Sequence, residues 1–186
     1  MKLILASQSP RRLELIKLLD MEYEAISPNV EEVNDPSLSH EELVMDLAFQ
    51  KASAVFKTHK EDLVLGFDTL VVIDDLILGK PKSEEEAKHY LQMLSNKTHK
   101  VLTGCAIITK GKSKSFYTQS NVTFWDITNE EIDDYIKTKE PLDKAGAYGI
   151  QDHGARFVKG ISGDYFTIVG FPVSRLYQEL KKIIKG

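Results

Sequence analysis

Two hydrophobic periods take turns along the chain. Leu3 to Ala6 is a short apolar run that predicts a buried strand. Ser7-Gln8-Ser9 follows, then Pro10 and two arginines; Ser9 is a good N-cap and Pro10 suits the first helical position. Leu13, Ile16, Leu18 and Leu19 then trace the apolar face of a helix. Tyr23 to Ile26 reads as a second strand, and Pro28 to Pro36 as a polar, acidic loop carrying Glu31 and Glu32. From His40 to about Lys57 the spacing predicts an amphipathic helix with Leu43, Leu47, Ala48 and Ala52 inward. Leu63 to Ile73 is a strongly apolar strand interrupted by Gly66, Asp68 and Thr69, and the turn at Asp74-Asp75 leads to Leu76-Ile77-Leu78.

Ser83 and Glu86 have the spacing of a capping box before a helix through about Leu94. His99 to Ile108 and Ser115 to Ile127 predict two longer strands with a Lys/Gly-rich turn between them. A second capping box, Thr128 with Glu131, opens a helix to about Lys137. Glu140 to Gln151 is a Gly/Ala-rich connector, and Phe157 to Phe171 contains strand with a turn at Ser162-Gly163-Asp164. A final amphipathic helix runs from Pro172 to the end. This is a mixed α/β pattern with no repeat or linker, so residues 1–186 are expected to form a single domain, with room for two lobes.

Composition narrows the function classes. With 42% apolar and 28% charged residues the chain is ordinary globular protein, and its net charge of −4 disfavours nucleic acid as a partner. An anionic ligand would therefore need a local cluster of positive groups. The single cysteine, Cys105, rules out a disulfide within the chain and reads as a small buried strand residue. No apolar stretch is long enough to cross a membrane, which makes a cytoplasmic protein the expectation.

Five segments could carry chemistry. Ser7, Arg11 and Arg12 flank a helix N-terminus, where unpaired N–H groups, the dipole and two guanidinium forks would make a polyphosphate cradle; a plain capped helix explains them as well. Asp68 interrupts an apolar strand, a costly place for an acid unless it is paired, binds a cation or acts as a base. Lys80, between Gly79 and Pro81, could reach a phosphate as a point charge, whereas Lys51 reads more simply as a surface lysine of its helix. In the connector, small residues around Lys144 and Tyr148 would admit close approach of a ligand, and Gln151 could hydrogen-bond a base. Glu31 and Glu32 could hold Mg²⁺ together with substrate phosphates, although neither shows metal spacing by itself and a solvated acidic loop is the simpler reading. The five histidines show no ligand spacing and read as structural or exposed.

Taken in order, the segments LASQSPRR, VEE, QKA, GFDTLVV, LGKP, LTG, EPLDKAGAYGIQ and GDYFTIVGFP resemble the Maf family of nucleoside triphosphate pyrophosphatases over nearly the whole chain. The resemblance implies a mixed twisted sheet flanked by helices, with two lobes around a cleft, similar to the inosine triphosphate pyrophosphatases, and often a homodimer. It implies hydrolysis of a nucleoside triphosphate to the monophosphate and pyrophosphate with a divalent cation, Mg²⁺ or Mn²⁺. Asp68 matches the proton acceptor; Arg11, Thr69 and Gln151 match positions linked to choice of dTTP and UTP. Ser7, Arg12, Lys51 and Lys80 match other positions of the polar pocket, and Glu32 matches a metal-site acid beside Asp68; on this reading Arg11, Arg12 and Lys80 would neutralise charge on the leaving pyrophosphate. Asp68 does not easily serve as inner-sphere ligand and free base at once. The family is also linked to cell-division arrest, so the competing reading is a nucleotide-binding regulator without turnover. Three departures stand out: Phe67 where a small residue is usual, Asp152 where Gly is common, and Thr167 in place of a frequent Asn. Phe67 is expected to narrow the site.

Overall fold

The computed structural model describes residues 1–185. A mixed seven-stranded sheet forms the frame, as the alternating pattern predicts. Strand β1 (Leu3–Ala6) pairs parallel with β2 (Tyr23–Ala25) on one side and with β3 (Leu63–Ile73) on the other. Strand β4 (Leu76–Leu78) turns back antiparallel on the end of β3. Strands β5 (Thr98–Thr109) and β6 (Lys112–Phe124) are joined through Lys110 and Gly111, whose φ of 81° is a value glycine adopts without cost. Strand β7 (Val158–Ser162) is antiparallel to β6, which gives the order β2-β1-β3-β5-β6-β7 with β4 off β3. The helices are α1 (Pro10–Leu15), α2 (His40–Phe56), α3 (Glu84–Leu94), α4 (Asn129–Lys137), α5 (Tyr165–Val169) and α6 (Val173–Lys185). No described helix is long and apolar enough to cross a membrane.

The chain divides into two compact units. The first holds Met1–Asp68, Thr103–Thr118 and the chain from Gly170 on. Its helix α2 starts at a complete capping box: Ser39 Oγ accepts from the Glu42 N–H, and the Glu42 carboxylate accepts from the Ser39 N–H. The inward face of α2 then meets strands at two glycines. A Cβ on Gly66 of β3 would lie 2.2 Å from the Ala48 carbonyl oxygen, and one on Gly104 of β5 would lie 2.0 Å from that of Val44. With Ala48 and Ala52 completing the contact, the helix backbone rests almost directly on the sheet. That approach is what lets side chains of α2 reach the middle of β3.

The second unit holds Thr69–Leu102 and Gln119–Val169. Its core joins the far end of β3 to α3, α4 and an aromatic group of Phe124, Tyr135, Tyr148 and Phe157. His99 is sealed into that group at 1% exposure. One ring nitrogen, Nε2, lies 2.8 Å from the Tyr148 hydroxyl, while buried Nδ1 has no hydrogen-bond partner. Burial lowers its pKa to about 4, because the imidazolium would lose its hydration with no anion to replace it.

Local chemistry moves several expected features. Ser9 is the N-cap of α1 and Pro10 follows it, but the Ser9 side chain makes no capping bond; Ser7 Oγ instead accepts from the Ser9 N–H at 3.2 Å. The helix tightens into a 3-10 turn at Ile16–Leu19, which swings Leu18 out to 59% exposure although it was expected on the apolar face. Only half of the Ser83–Glu86 box forms, because the Glu86 carboxylate reaches one residue further back, to the Lys82 N–H at 2.6 Å. Strand β6 stops at Phe124 rather than Ile127, since Ser95 Oγ takes the Ile127 N–H and Thr128 caps α4. Beyond Gly163 the chain is helical rather than extended: the Asp164 carboxylate accepts from the N–H groups of Phe166 and Thr167 and starts α5.

Two predictions test this packing. Gly104→Ala forces a methyl against the main chain of α2, and backbone cannot swing aside as a side chain can. We expect a loss of about 2–3 kcal/mol in urea unfolding, at the upper end for overpacking, whereas Gly160→Ala, where a Cβ meets nothing within 4 Å, stays within about 0.5 kcal/mol. His99 gives a pH signature. Its folded pKa is depressed, so its share of stability is intact above pH ~6.5 and is lost as pH falls towards about 4, where the folded state also takes the proton. That share amounts to about 3 kcal/mol, and it should be missing from the stability–pH curve of His99→Leu.

Candidate active site

Asp68 is the feature that requires explanation. Every residue of β3 except Thr69 is buried, and the Asp68 side chain retains only 13% of its exposure. The carboxylate is matched by Lys51, on the face of α2 that the Gly66 contact presses towards β3. Lys51 Nζ lies 2.5 Å from Asp68 Oδ1 and 3.1 Å from Glu32 Oε1. Lys51 is thus no surface lysine: its side chain is 14% exposed and its ammonium stands between two acids. Glu32 comes from the loop after β2 and keeps 43% of its side-chain exposure, so it forms the solvent side of the cluster. Burial pushes the Asp68 carboxyl above its ordinary range, while Lys51 and then Arg12 pull it back and Glu32 adds to the rise.

Arg12 completes the group from α1. Its Nε donates to the Gly170 carbonyl at 3.0 Å and its Nη1 to the Phe67 carbonyl at 3.2 Å. The guanidinium also lies over the Phe67 ring, 5.6 Å from its centre. Desolvation lowers its pKa and the Asp68 charge opposes that shift, which places the two charges in each other's field. Phe67 does not narrow the site. It is fully buried, packed at 4.6 Å between ring centres on Phe171, and acts as a floor beneath Arg12. Ser7 is buried beside the start of α1, and half-buried Arg11 adds its positive charge to the field around Arg12. The structure therefore gathers Arg12, Lys51, Asp68 and Glu32, with Ser7 and Arg11 at the adjoining helix start.

Thr69, Lys80 and Gln151 belong to the second unit. Thr69 is half-buried next to Asp68 in β3, while Lys80 and Gln151 are exposed. The small residues of the connector serve the chain itself. A Cβ at Gly146 would meet Val71 at 2.8 Å, one at Gly149 would meet Lys144 at 2.7 Å, and one at Gly154 would meet the Gly149 carbonyl at 2.8 Å. Lys144 is buried, donating to the Glu140 carbonyl at 3.0 Å and to Asp143 at 2.8 Å. Asp152, the departure after Gln151, stands 3.7 Å from the same ammonium.

Sequence reasoning missed Gln50. Its amide nitrogen donates to the Val33 carbonyl at 2.9 Å and to Asp46 at 2.6 Å, and its oxygen accepts from the Val33 N–H at 3.0 Å. The available signal was the four-residue spacing of Asp46 and Gln50 on one helix face.

One hydroxyl, three cations and two acids drawn from a strand, two helices and the loops beside them suit a polyphosphate with a counter-ion. Residues 2–183 match the family described as Maf-like protein. The chain belongs to the Maf-like family. It is similar to the dTTP/UTP pyrophosphatase of Bacillus cytotoxicus, at 55% identity over 100% of this chain and 97% of that one. It is also similar to the dTTP/UTP pyrophosphatase of Bacillus mycoides, at 54% over 97% of this chain and 95% of that one. Among solved structures, the Staphylococcus aureus Ham1 protein superposes with a TM-score of 0.58 at 15% identity, covering 98% of this chain and 99% of that one. A HAM1 protein from Coxiella burnetii does so at 0.54 and 13%, covering 100% and 98%. At such identities these two likenesses establish the shared fold.

The geometry yields a direct electrostatic test. Lys51 is the first of the influences that lower the Asp68 pKa against burial. In Lys51→Met we expect the Asp68 carboxyl to titrate at a higher pH than in the parent, followed by carboxyl-carbon NMR. An unchanged or lower value would mean that the ion pair does not form in solution.

Proposed function

We propose that this Maf-like protein hydrolyses nucleoside triphosphates, dTTP and UTP among them, to the monophosphate and pyrophosphate. The observation that carries the reading is the Asp68 carboxylate, buried in an apolar strand and held by Lys51 next to Glu32 and Arg12. The pyrimidine nucleotides named for its Bacillus relatives supply the substrate class.

A water oxygen attacks the α-phosphorus, the bond from that phosphorus to the bridging oxygen breaks, and pyrophosphate leaves. The water loses one proton, which Asp68 accepts; a carboxyl raised by burial is a better base at neutral pH than an exposed one. Arg12, fixed by two main-chain carbonyls, presents a charge that need not reorganise as negative charge builds on the leaving group, and Lys80 is assigned the same task. Lys51 orients Asp68. Ser7 and Arg11 bind phosphate oxygens, and Thr69 and Gln151 select the pyrimidine.

The donor set fits a hard divalent cation. Asp68 and Glu32 already converge on one positive centre, the Lys51 ammonium, and both offer carboxylate oxygen. Magnesium and manganese are commonly held by one or two carboxylates with substrate phosphates and water completing the shell. Mg²⁺ or Mn²⁺ bound there supplies Lewis acidity to the triphosphate. Glu32, the more exposed acid, is its principal protein ligand in this reading, which leaves Asp68 to act as base. A homodimer working in the cytoplasm completes the proposal.

The test is turnover of a nucleotide panel with Mg²⁺ or Mn²⁺, resolving pyrophosphate from orthophosphate. Pyrophosphate chiefly from dTTP and UTP is expected. Orthophosphate would identify a γ-phosphohydrolase, and tight binding without product a nucleotide-responsive regulator of the kind linked to cell-division arrest. Asp68→Asn should lower the rate by about 100-fold or more at every metal concentration, as loss of a general base does, while Glu32→Gln should recover in part as metal is raised. Near-normal turnover in Asp68→Asn would remove Asp68 from the chemistry.

A further inference from the structure

Glu32 has the most demanding placement and the least regular support. It lies within residues 26–39, a stretch without helix or strand between β2 and α2. A carboxylate on such a segment would sample many positions unless its main chain were fixed, and ordering it at the moment of metal binding would weaken that binding.

The neighbouring residue provides the fixation. The Val33 N–H donates to Gln50 Oε1 at 3.0 Å, and Gln50 Nε2 donates back to the Val33 carbonyl at 2.9 Å. The carboxamide thus closes on both main-chain groups of one residue, as a strand partner would. Its orientation is not arbitrary. Nε2 also donates to Asp46 Oδ2 at 2.6 Å, one turn earlier on α2, and an ionised carboxylate only accepts. The nitrogen side must therefore face Asp46, which turns the oxygen towards the Val33 N–H. Consecutive residues of α2 thereby grip consecutive residues of the loop: Gln50 holds the main chain of Val33 and Lys51 the side chain of Glu32.

We propose that Gln50, oriented by Asp46, is the positioning residue that holds the Glu32 carboxylate at the divalent-cation site. This rests on the reading that Glu32 binds the cation. Gln50 touches neither substrate nor metal and acts only through the loop.

The test uses the full chain with Gln50→Met, which keeps length and helix propensity while removing all three hydrogen bonds. Three quantities are measured: the Mn²⁺ concentration for half-maximal pyrophosphate release, Mn²⁺ affinity by electron paramagnetic resonance with a non-hydrolysable pyrimidine nucleoside triphosphate, and the melting temperature. Loss of support behind a ligand typically weakens metal binding about 10–100-fold. We expect both metal-dependent quantities to weaken by about tenfold, a smaller change in rate at saturating metal, and melting close to the parent. Gln50→Glu, which turns carboxylate oxygen on the Asp46 carboxylate and the Val33 carbonyl in place of a donor, should show a defect at least as large. In a Glu32→Gln background, Gln50→Met should add nothing. Parental metal dependence and affinity in Gln50→Met, or a full additional loss in the Glu32→Gln background, overturns the assignment to Gln50. If Glu32→Gln itself leaves the metal requirement unchanged, it is the cation reading of Glu32 that fails, and that single variant separates the two outcomes.

Discussion

A charged carboxylate in the middle of an apolar strand sets the terms for everything around it. Left alone, Asp68 would take up a proton rather than stay ionised without water. The first unit supplies its counter-charge from α2, and that delivery depends on how closely the helix can lie on the sheet. Glycine at 66 and 104, with alanine at 48 and 52, removes the side-chain layer that normally separates helix from sheet. Lys51 is then near enough for its ammonium to meet Asp68 Oδ1 at 2.5 Å. The small residues of α2 and β3 are thus part of the electrostatics as much as of the packing.

Most of the frame was legible from local pattern, and the particular residues show why. The run Leu63 to Ile73 has only one stable reading, and Thr128 to Glu131 closes as a reciprocal cap because it needs only four consecutive residues. What failed depended on partners distant in sequence or on small differences in geometry. Ile127 alternates suitably for a strand, but Ser95 takes its N–H. Ser9 stands at the N-cap position, yet its side chain makes no capping bond. Tyr165 to Val169 is apolar enough for strand, and one carboxylate, Asp164, makes it helical.

The site divides along the same line. Asp68 was legible because an acid in an apolar run contradicts its surroundings. Lys51 was legible only through the family resemblance and not from its own helix, because a lysine on an amphipathic helix contradicts nothing until β3 is laid against it. Phe67 was misread for a related reason: its size suggested a narrowed site, but strand alternation and the Phe171 ring place it beneath Arg12. The glycines of the connector suggested room for a ligand, and at Gly146, Gly149 and Gly154 that room is filled by Val71, Lys144 and the loop's own backbone. A sequence records that space is needed, and only the fold records for what.

The position of Lys51 has a further physical consequence. An ammonium between two carboxylates is a monovalent solution to a problem that a divalent cation solves more strongly, provided that the cation brings compensating anionic oxygens with it. A triphosphate does so, and its arrival changes the local balance from two acids and three cations to one that favours additional positive charge. Lys51 need not leave the site for this exchange to be favourable, since one ammonium proton can keep the Asp68 contact while the others turn to phosphate oxygen. On the proposed reading the same cluster is stable without substrate and receptive with it: the lysine neutralises the acids in the resting protein and would become one more phosphate ligand when nucleotide and metal enter together.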